Sequence, residues 1–240
     1  MSDVSRAVIL AAGRGTRLGD LTARTPKPLL EVGRRPILVR IIDGLAAARI
    51  SEIAIVTGYL GEQIEREIGN GAASGVEVTY FRQQVPEGTA RALALAREFT
   101  GRERFVFAWG DIMVRQENYR AVVRRSRLAD AAIAVNEVDD PWAGAAVYVD
   151  NALRVRRIVE KPAQGTSTTR WNNAGFGVLG PEIWPLIDGL APRGDEHNLV
   201  DAIAALVESG ANVAACPVEG PWFDIGTPEQ LQAARHEFAR

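Results

Sequence analysis

Cysteine is almost absent from this sequence, and histidine is nearly so. The single cysteine, Cys216, excludes an internal disulfide and a zinc cluster built on thiolates. The two histidines, His197 and His236, read as surface residues that nothing pairs as ligands or bases. Excess charge is missing too. With 28 basic and 30 acidic residues the net charge is −2, so nothing suggests a general nucleic-acid or membrane surface. The first apolar run, residues 7–12, is only six residues long and lies behind an acid, Asp3. That is too short for a signal peptide or a membrane span, so a cytoplasmic globular protein is expected. Internal repeats and long linkers are also lacking, and residues 1–240 are expected to form one domain.

What is present is enough apolar material, 47% of 240 residues, to bury a sizeable core. Residues 6–12, 52–57, 76–81 and 104–109 read as strands, the first two as runs buried on both faces. Helices are expected between them. One is opened by Pro36 with Ile37, Leu38, Ile41, Ile42 and Leu45 on one face; the others are residues 62–68 and 88–99. Such alternation predicts a mainly parallel sheet with right-handed crossovers. The pattern assigns no element to residues 112–130. Residues 131–138, 145–149 and 154–159 are strands separated by short turns, which favours some antiparallel pairing. A polar, mobile loop is expected at 164–169, a strand at 173–179, helices at 181–187 and 198–209, and strands at 212–218 and 222–225. Thr227 followed by Pro228 opens the last helix. The fold class is α/β: a Rossmann-like mixed, mostly parallel central sheet, helices on both faces, and a small antiparallel substrate-side lobe.

The stretch Leu10-Ala11-Ala12-Gly13-Arg14-Gly15-Thr16-Arg17-Leu18 breaks the first strand into a glycine-rich turn with two arginines. Thr25-Pro26-Lys27-Pro28-Leu29-Leu30 then sets a lysine between two prolines. Glycines let backbone N–H groups approach an anion, and arginine and lysine add fixed positive charge. A P-loop would need Gly-Lys-Ser/Thr at the end of the loop, which is missing. A dinucleotide fingerprint would need a third glycine where Leu18 stands, and an acid where Thr57 closes the next strand. Two readings of Gly13 and Gly15 alone remain: a loop wrapping a nucleoside triphosphate, or an ordinary strand-to-helix turn whose arginines are solvated.

Read in full, the loop, Pro26-Lys27-Pro28-Leu29-Leu30 and Arg35-Pro36-Ile37-Leu38 resemble the signature of sugar-1-phosphate nucleotidyltransferases. Further motifs follow in the family's order. Gly88-Thr89-Ala90 resembles its base-proximal glycine turn, and Gly110-Asp111 the position of its first metal aspartate. Glu160-Lys161-Pro162 and Asn173-Ala174-Gly175 resemble its sugar-side motifs, and Trp222 to Pro228 the segment holding its second metal aspartate. By residue type alone, Asp111 could equally be a turn or helix cap, Lys161 a solvated lysine, Glu160 a surface acid and Asn173 a strand-end turn former.

The resemblance implies that a sugar 1-phosphate attacks the α-phosphorus of an NTP and pyrophosphate leaves. No general base is demanded, because a phosphate monoester is largely dianionic near neutral pH. Arg17, Lys27 and Asp111 are the implied catalytic residues, with Mg²⁺ held by Asp111 and Asp224. Leu10, Ala11, Ala12, Gly13, Arg14, Gly15, Thr16, Gln83, Gly88 and Thr89 would bind nucleotide. Gly110, Glu160, Lys161 and Asn173 would bind sugar phosphate. Residues up to about 130 would thus form the nucleotide half and the remainder the sugar-phosphate half. Gln83 stands five residues before Gly88, the spacing of thymidylyl- and uridylyltransferases, where an amide reads a pyrimidine edge. UTP or dTTP is therefore favoured. A GTP-using mannose or heptose guanylyltransferase, a CTP-using enzyme acting on a non-sugar phosphate such as phosphocholine, and a non-catalytic nucleotide-sugar sensor stay open. Trp109 and the doublet Asn172-Asn173 depart from the common pattern and leave the sugar unassigned, as they do any contact of Trp171 or His197 with it. The expected partners are an NTP and a sugar 1-phosphate, with neither nucleic acid nor membrane; a homo-oligomer stays open.

Overall fold

The computed structural model describes residues 4–238; Asp3, the acid ahead of the first apolar run, lies outside them. The chain begins with β1 (Arg6–Ala11), followed by a small hairpin of β2 (Glu31–Val32) and β3 (Arg35–Pro36) and then α1 (Ile37–Ala47). β4 (Glu52–Thr57), α2 (Gly61–Ile68) and β5 (Glu77–Arg82) continue the alternation. α3 (Thr89–Ala94), α4 (Arg97–Thr100), β6 (Phe105–Trp109), β7 (Ile112–Val114) and α5 (Glu117–Ser126) complete the first half. The second half runs β8 (Ala131–Glu137), β9 (Ala145–Val149), β10 (Val155–Glu160), β11 (Trp171–Leu179), α6 (Ile183–Asp188) and α7 (Leu199–Glu208). It ends with β12 (Val213–Pro217), β13 (Trp222–Asp224) and α8 (Pro228–Glu237).

Nine strands share one mixed sheet. β1 lies between β4 and β6, parallel to both, and β5 extends the parallel part beyond β4. β11 joins the halves. One of its edges runs antiparallel along β8, which pairs in parallel with β12. Its other edge is divided: Phe176–Leu179 pairs with β6, whereas Asn172 faces Ala146 of β9, itself paired with β10. The sheet therefore forks between β6 and β9. Asn172 stitches the fork, accepting the Ala145 N–H at 3.0 Å and donating to Asn136 Oδ1 at 3.0 Å.

Uninterrupted apolar strands make sense because both faces of the sheet are covered. Ala7, Ile9, Ile53, Ile55, Val106 and Ala108 point into one core with α1, α5 and α8. Val8, Leu10, Ala54, Val56, Phe105 and Phe107 point into the other with α3, α6 and α7. Each fully buried Ile, Leu or Phe contributes about 1.5–3 kcal/mol.

Three local expectations need correction. The helix expected over 88–99 breaks into α3 and α4 at Leu95 and Ala96, with Leu95 left exposed. α5 forms where no element was expected, because Tyr119 and Val122 are buried against the sheet beneath a polar outer face. β7 is also unexpected; its three residues are a strand only because β13 lies beside them.

Candidate active site

β1 and β6 deliver the first parts of the site to the same edge of the sheet. The Gly110 N–H donates to the Leu10 carbonyl at 2.9 Å, so the glycine loop after β1 and Asp111 after β6 start as neighbours. Among the described residues, the backbone N–H groups of Gly13, Arg14 and Gly15 meet no acceptor. Gly15 then turns with φ +64° into a 3₁₀ turn, Thr16–Thr22. Its carbonyl accepts from the Leu18 N–H at 3.0 Å and the Thr22 hydroxyl at 2.9 Å. A run of free N–H donors beside cationic side chains suits an anion. Arg14 lies over the Tyr59 ring at 5.0 Å. Lys27 reaches past Gly15 to Asp111, with Nζ 2.5 Å from Oδ2 and the two side chains 12% and 27% exposed.

Asp224 arrives by a separate route. β13 pairs antiparallel with β7, setting Asp224 opposite Ile112, and the Ile225 N–H donates to the Asp111 carbonyl at 3.1 Å. Burial pushes the Asp224 carboxyl above the ordinary carboxylate range, and the charge of Asp111 adds to this; Lys27 and Arg17 pull it back. The Arg17 guanidinium rests against Gly226. The Thr227 side chain accepts the Gln230 N–H and Gln230 Oε1 accepts the Gly226 N–H at 2.8 Å, which fixes this segment to the start of α8. Arg17, Lys27, Asp111 and Asp224 thus converge from four separate stretches of chain.

Two cavities meet at this cluster and share Thr89, Trp109 and Asp111. The smaller, about 310 Å³, is lined by Leu10, Ala12, Gly13, Arg14, Gln83 and Gly88. The larger, about 390 Å³, lies at the fork of the sheet and is lined by Asp140, Glu160, Asn173, Trp222 and Asp224, among others. Burial raises the Glu160 carboxyl; Asp201 adds to the rise, and Lys161 and Arg193 oppose it.

Not every anticipated residue lines a cavity. Ala11 is buried in the core, and the N–H of Gly110, also buried, is already held by Leu10. Gly15, Thr16, Arg17 and Lys27 stand behind or beside the lining. Lys161 is exposed just after Glu160, and its N–H donates to the Gly144 carbonyl at 2.7 Å. Trp171 lines a separate surface depression with Tyr148 and Arg170. His197 acts through its backbone: its N–H donates to the Glu87 carbonyl and its carbonyl accepts the Ala90 N–H, both at 2.8 Å. Gly88, with φ +95°, passes so close to that backbone that a β-carbon would collide with it. Asp140, Trp222, Asn198 and Gln230 line the larger cavity but were not anticipated. Asp140 precedes a proline and reads in sequence as a plain turn former.

Gly175 has φ +86°, and a β-carbon there would be driven into the Trp109 ring. Gly175→Ala is expected to lower unfolding stability by about 2–3 kcal/mol, measured by denaturant titration, because the backbone strains and the indole must move.

The nucleotidyl transferase family model matches residues 6–240. The chain belongs to that family. It is 35% identical over 234 residues to the low-salt glycan biosynthesis nucleotidyltransferase Agl11 of Haloferax volcanii, covering 95% of this chain but 64% of that relative's length. It is 34% identical over 237 residues to the UTP–glucose-1-phosphate uridylyltransferase AglF of the same organism, covering 95% of this chain and 94% of AglF. Guanylyltransferases also stand among the relatives. Among solved structures, a candidate glucose-1-phosphate thymidylyltransferase from Bacillus anthracis, in complex with a sucrose, superposes with a TM-score of 0.88. It is 28% identical, covering 98% of this chain and 95% of that one.

Proposed function

We propose that the protein transfers a nucleotidyl group from an NTP, UTP or dTTP in preference, to a sugar 1-phosphate, releasing pyrophosphate. The observation that carries this is the convergence of Arg17, Lys27, Asp111 and Asp224 where the two cavities meet. One cavity holds the glycine loop and the other carries carboxylate and amide side chains suited to a sugar. In this scheme the Gly13 to Gly15 N–H groups and Arg17 take the phosphates that leave as pyrophosphate, and Lys27 faces the α-phosphate. Glu160 and Asn173 hold the sugar, and Lys161 draws in its phosphate. The work is to bring two polyanions together and stabilise the charge that builds between them.

Asp111 and Asp224 fit Mg²⁺. The charge of Asp111 adds to the burial that raises Asp224, Lys27 and Arg17 offset this in part, and a divalent cation held by both carboxylates would offset it further. Among the described residues no three His, Cys, Asp or Glu side chains form a protein-only cage. One or two carboxylates completed by phosphates is the usual Mg²⁺ donor set. Bound Mg²⁺ supplies electrostatic stabilisation of the reacting phosphates. Among the described residues no helix is long and apolar enough to cross a membrane; a cytoplasmic setting, with NTP at hand, suits the reaction.

For the base, Gln83 lines the nucleotide cavity and its Nε2 donates to the Gly88 carbonyl at 3.2 Å. That contact fixes the amide plane and leaves its carbonyl oxygen to accept N3–H of uracil or thymine. Pyrophosphate release over the common NTPs with Mg²⁺ and a panel of hexose 1-phosphates tests both parts. UTP or dTTP should turn over at least tenfold faster than GTP or CTP. A preference for GTP or CTP overturns the base assignment, and NTP binding without turnover by any pair overturns the reaction.

A further inference from the structure

Among the described residues, nine buried side-chain polar atoms lack a hydrogen-bond partner. Three of them, Asp140 Oδ1, Asn173 Nδ2 and Trp109 Nε1, belong to residues lining the larger cavity. Buried polar atoms are nearly always paired, so three unmet groups around one cavity mark an incomplete hydrogen-bond set. Their chemistry is complementary. A carboxylate oxygen can only accept, whereas the amide and indole nitrogens can only donate. A hydroxyl does both.

Asp140 stands out because its two oxygens are differently employed. It lies in extended conformation within the β8–β9 connection, just before the turn Pro141–Ala143. Oδ2 accepts the Gly165 N–H at 2.7 Å and so holds the polar loop 164–169 against this end of the cavity. Oδ1 is unpartnered and covered by its surroundings, so a ligand hydroxyl would reach it only with a small shift of the partly exposed Asp140 side chain. The charged side chains lining the cavity are Asp111, Asp140, Glu160 and Asp224, with no lysine or arginine among the lining. A carboxylate on the incoming sugar would therefore meet like charge there.

We propose that Asp140 is a specificity-determining residue whose Oδ1 accepts a hydrogen bond from a hydroxyl of the sugar 1-phosphate, and which turns away sugars carrying a carboxylate. This rests on the transfer reaction proposed above. Replacing Asp140 by asparagine either presents an amide nitrogen to the Gly165 N–H, a mismatch, or keeps that contact and offers the sugar hydroxyl a neutral N–H in place of an ionised acceptor, so the stronger charge-assisted bond is lost.

The test uses hexose 1-phosphates, monodeoxy analogues of the accepted one, and glucuronic acid 1-phosphate, with kinetics by pyrophosphate release. In D140N the KM for the accepted sugar 1-phosphate should rise about tenfold, while kcat and the KM for NTP stay within about twofold. One monodeoxy analogue should show the same tenfold loss with the wild-type protein and no further loss with D140N. The wild-type preference over glucuronic acid 1-phosphate should narrow in the variant. D140S, which keeps a small acceptor for Gly165, serves if D140N is unstable, and the same tenfold rise is expected. An unchanged sugar KM, an equal rise in the KM for NTP, or no analogue insensitive to the substitution overturns the proposal. A wild-type protein inactive with every pair overturns the transfer reaction and this proposal together, whereas wild-type turnover with an indifferent D140N overturns this proposal alone.

Discussion

Asp111→Asn is expected to lower turnover by roughly a hundred- to a thousandfold, the scale of losing one preorganised charge contact at a transition state. The substitution acts in three ways. It removes one of two carboxylates that would share the metal. It breaks the Lys27 ion pair and leaves an ammonium that is 12% exposed without its partner. It also removes the negative charge that helps to raise Asp224. The stability cost should stay at about 1 kcal/mol, because the loss of the Lys27 partner is offset by the relief of Asp224 from a like charge and by the pull of Lys27 on Asp224. Pyrophosphate release and thermal unfolding measured side by side separate the effects. Turnover within tenfold of wild type, with the fold intact, would remove Asp111 from the reacting site.

The second large effect belongs to Asp224, and its sign depends on pH. In the folded, metal-free protein this carboxyl holds its proton more tightly than in the unfolded chain, because it is buried and faces Asp111. Its contribution to stability is therefore complete below the ordinary carboxylate range and is lost as pH rises through the raised value. At neutral pH the ionised group costs stability. Asp224→Asn should accordingly make the Mg²⁺-free protein about 1 kcal/mol more stable at neutral pH, while reducing turnover at least a hundredfold. Mg²⁺ should raise the unfolding midpoint of the wild type and leave that of the variant nearly unchanged. The acid limb of wild-type activity should begin above the usual aspartate range at low Mg²⁺ and move down as Mg²⁺ is raised, because metal and proton compete. A variant no more stable than wild type in metal-free buffer would contradict the electrostatic account.

The sequence made some of this legible and hid the rest for physical reasons. Strands β1 and β4 are covered on both faces, so they appear as unbroken apolar runs and were readable within a residue. α5 was not readable because only a narrow stripe of it is buried, and its arginines and Glu117 mask the period. β7 has no local signal at all; three residues become a strand because a distant segment pairs with them. At the site, Gly13 to Arg17 announced themselves through glycine and charge, whereas the meeting of Asp111 with Asp224 came only from the resemblance to a family. Asp140 was invisible because its role depends on which atoms go unpaired in three dimensions.

The β7–β13 ribbon also sets an order of events. The glycine loop, Lys27 and Asp111 all belong to the part of the chain that is synthesised before Asp224. Asp224 is made long afterwards and reaches Asp111 only when β13 docks on β7. Until then the Lys27 ammonium can serve as the cationic partner of Asp111, in the place that the proposed metal would take. If Asp111 and Asp224 share Mg²⁺ as proposed, the capacity to hold that ion is acquired last, and a nascent chain would gather its glycine loop and Lys27 well before it is armed for chemistry.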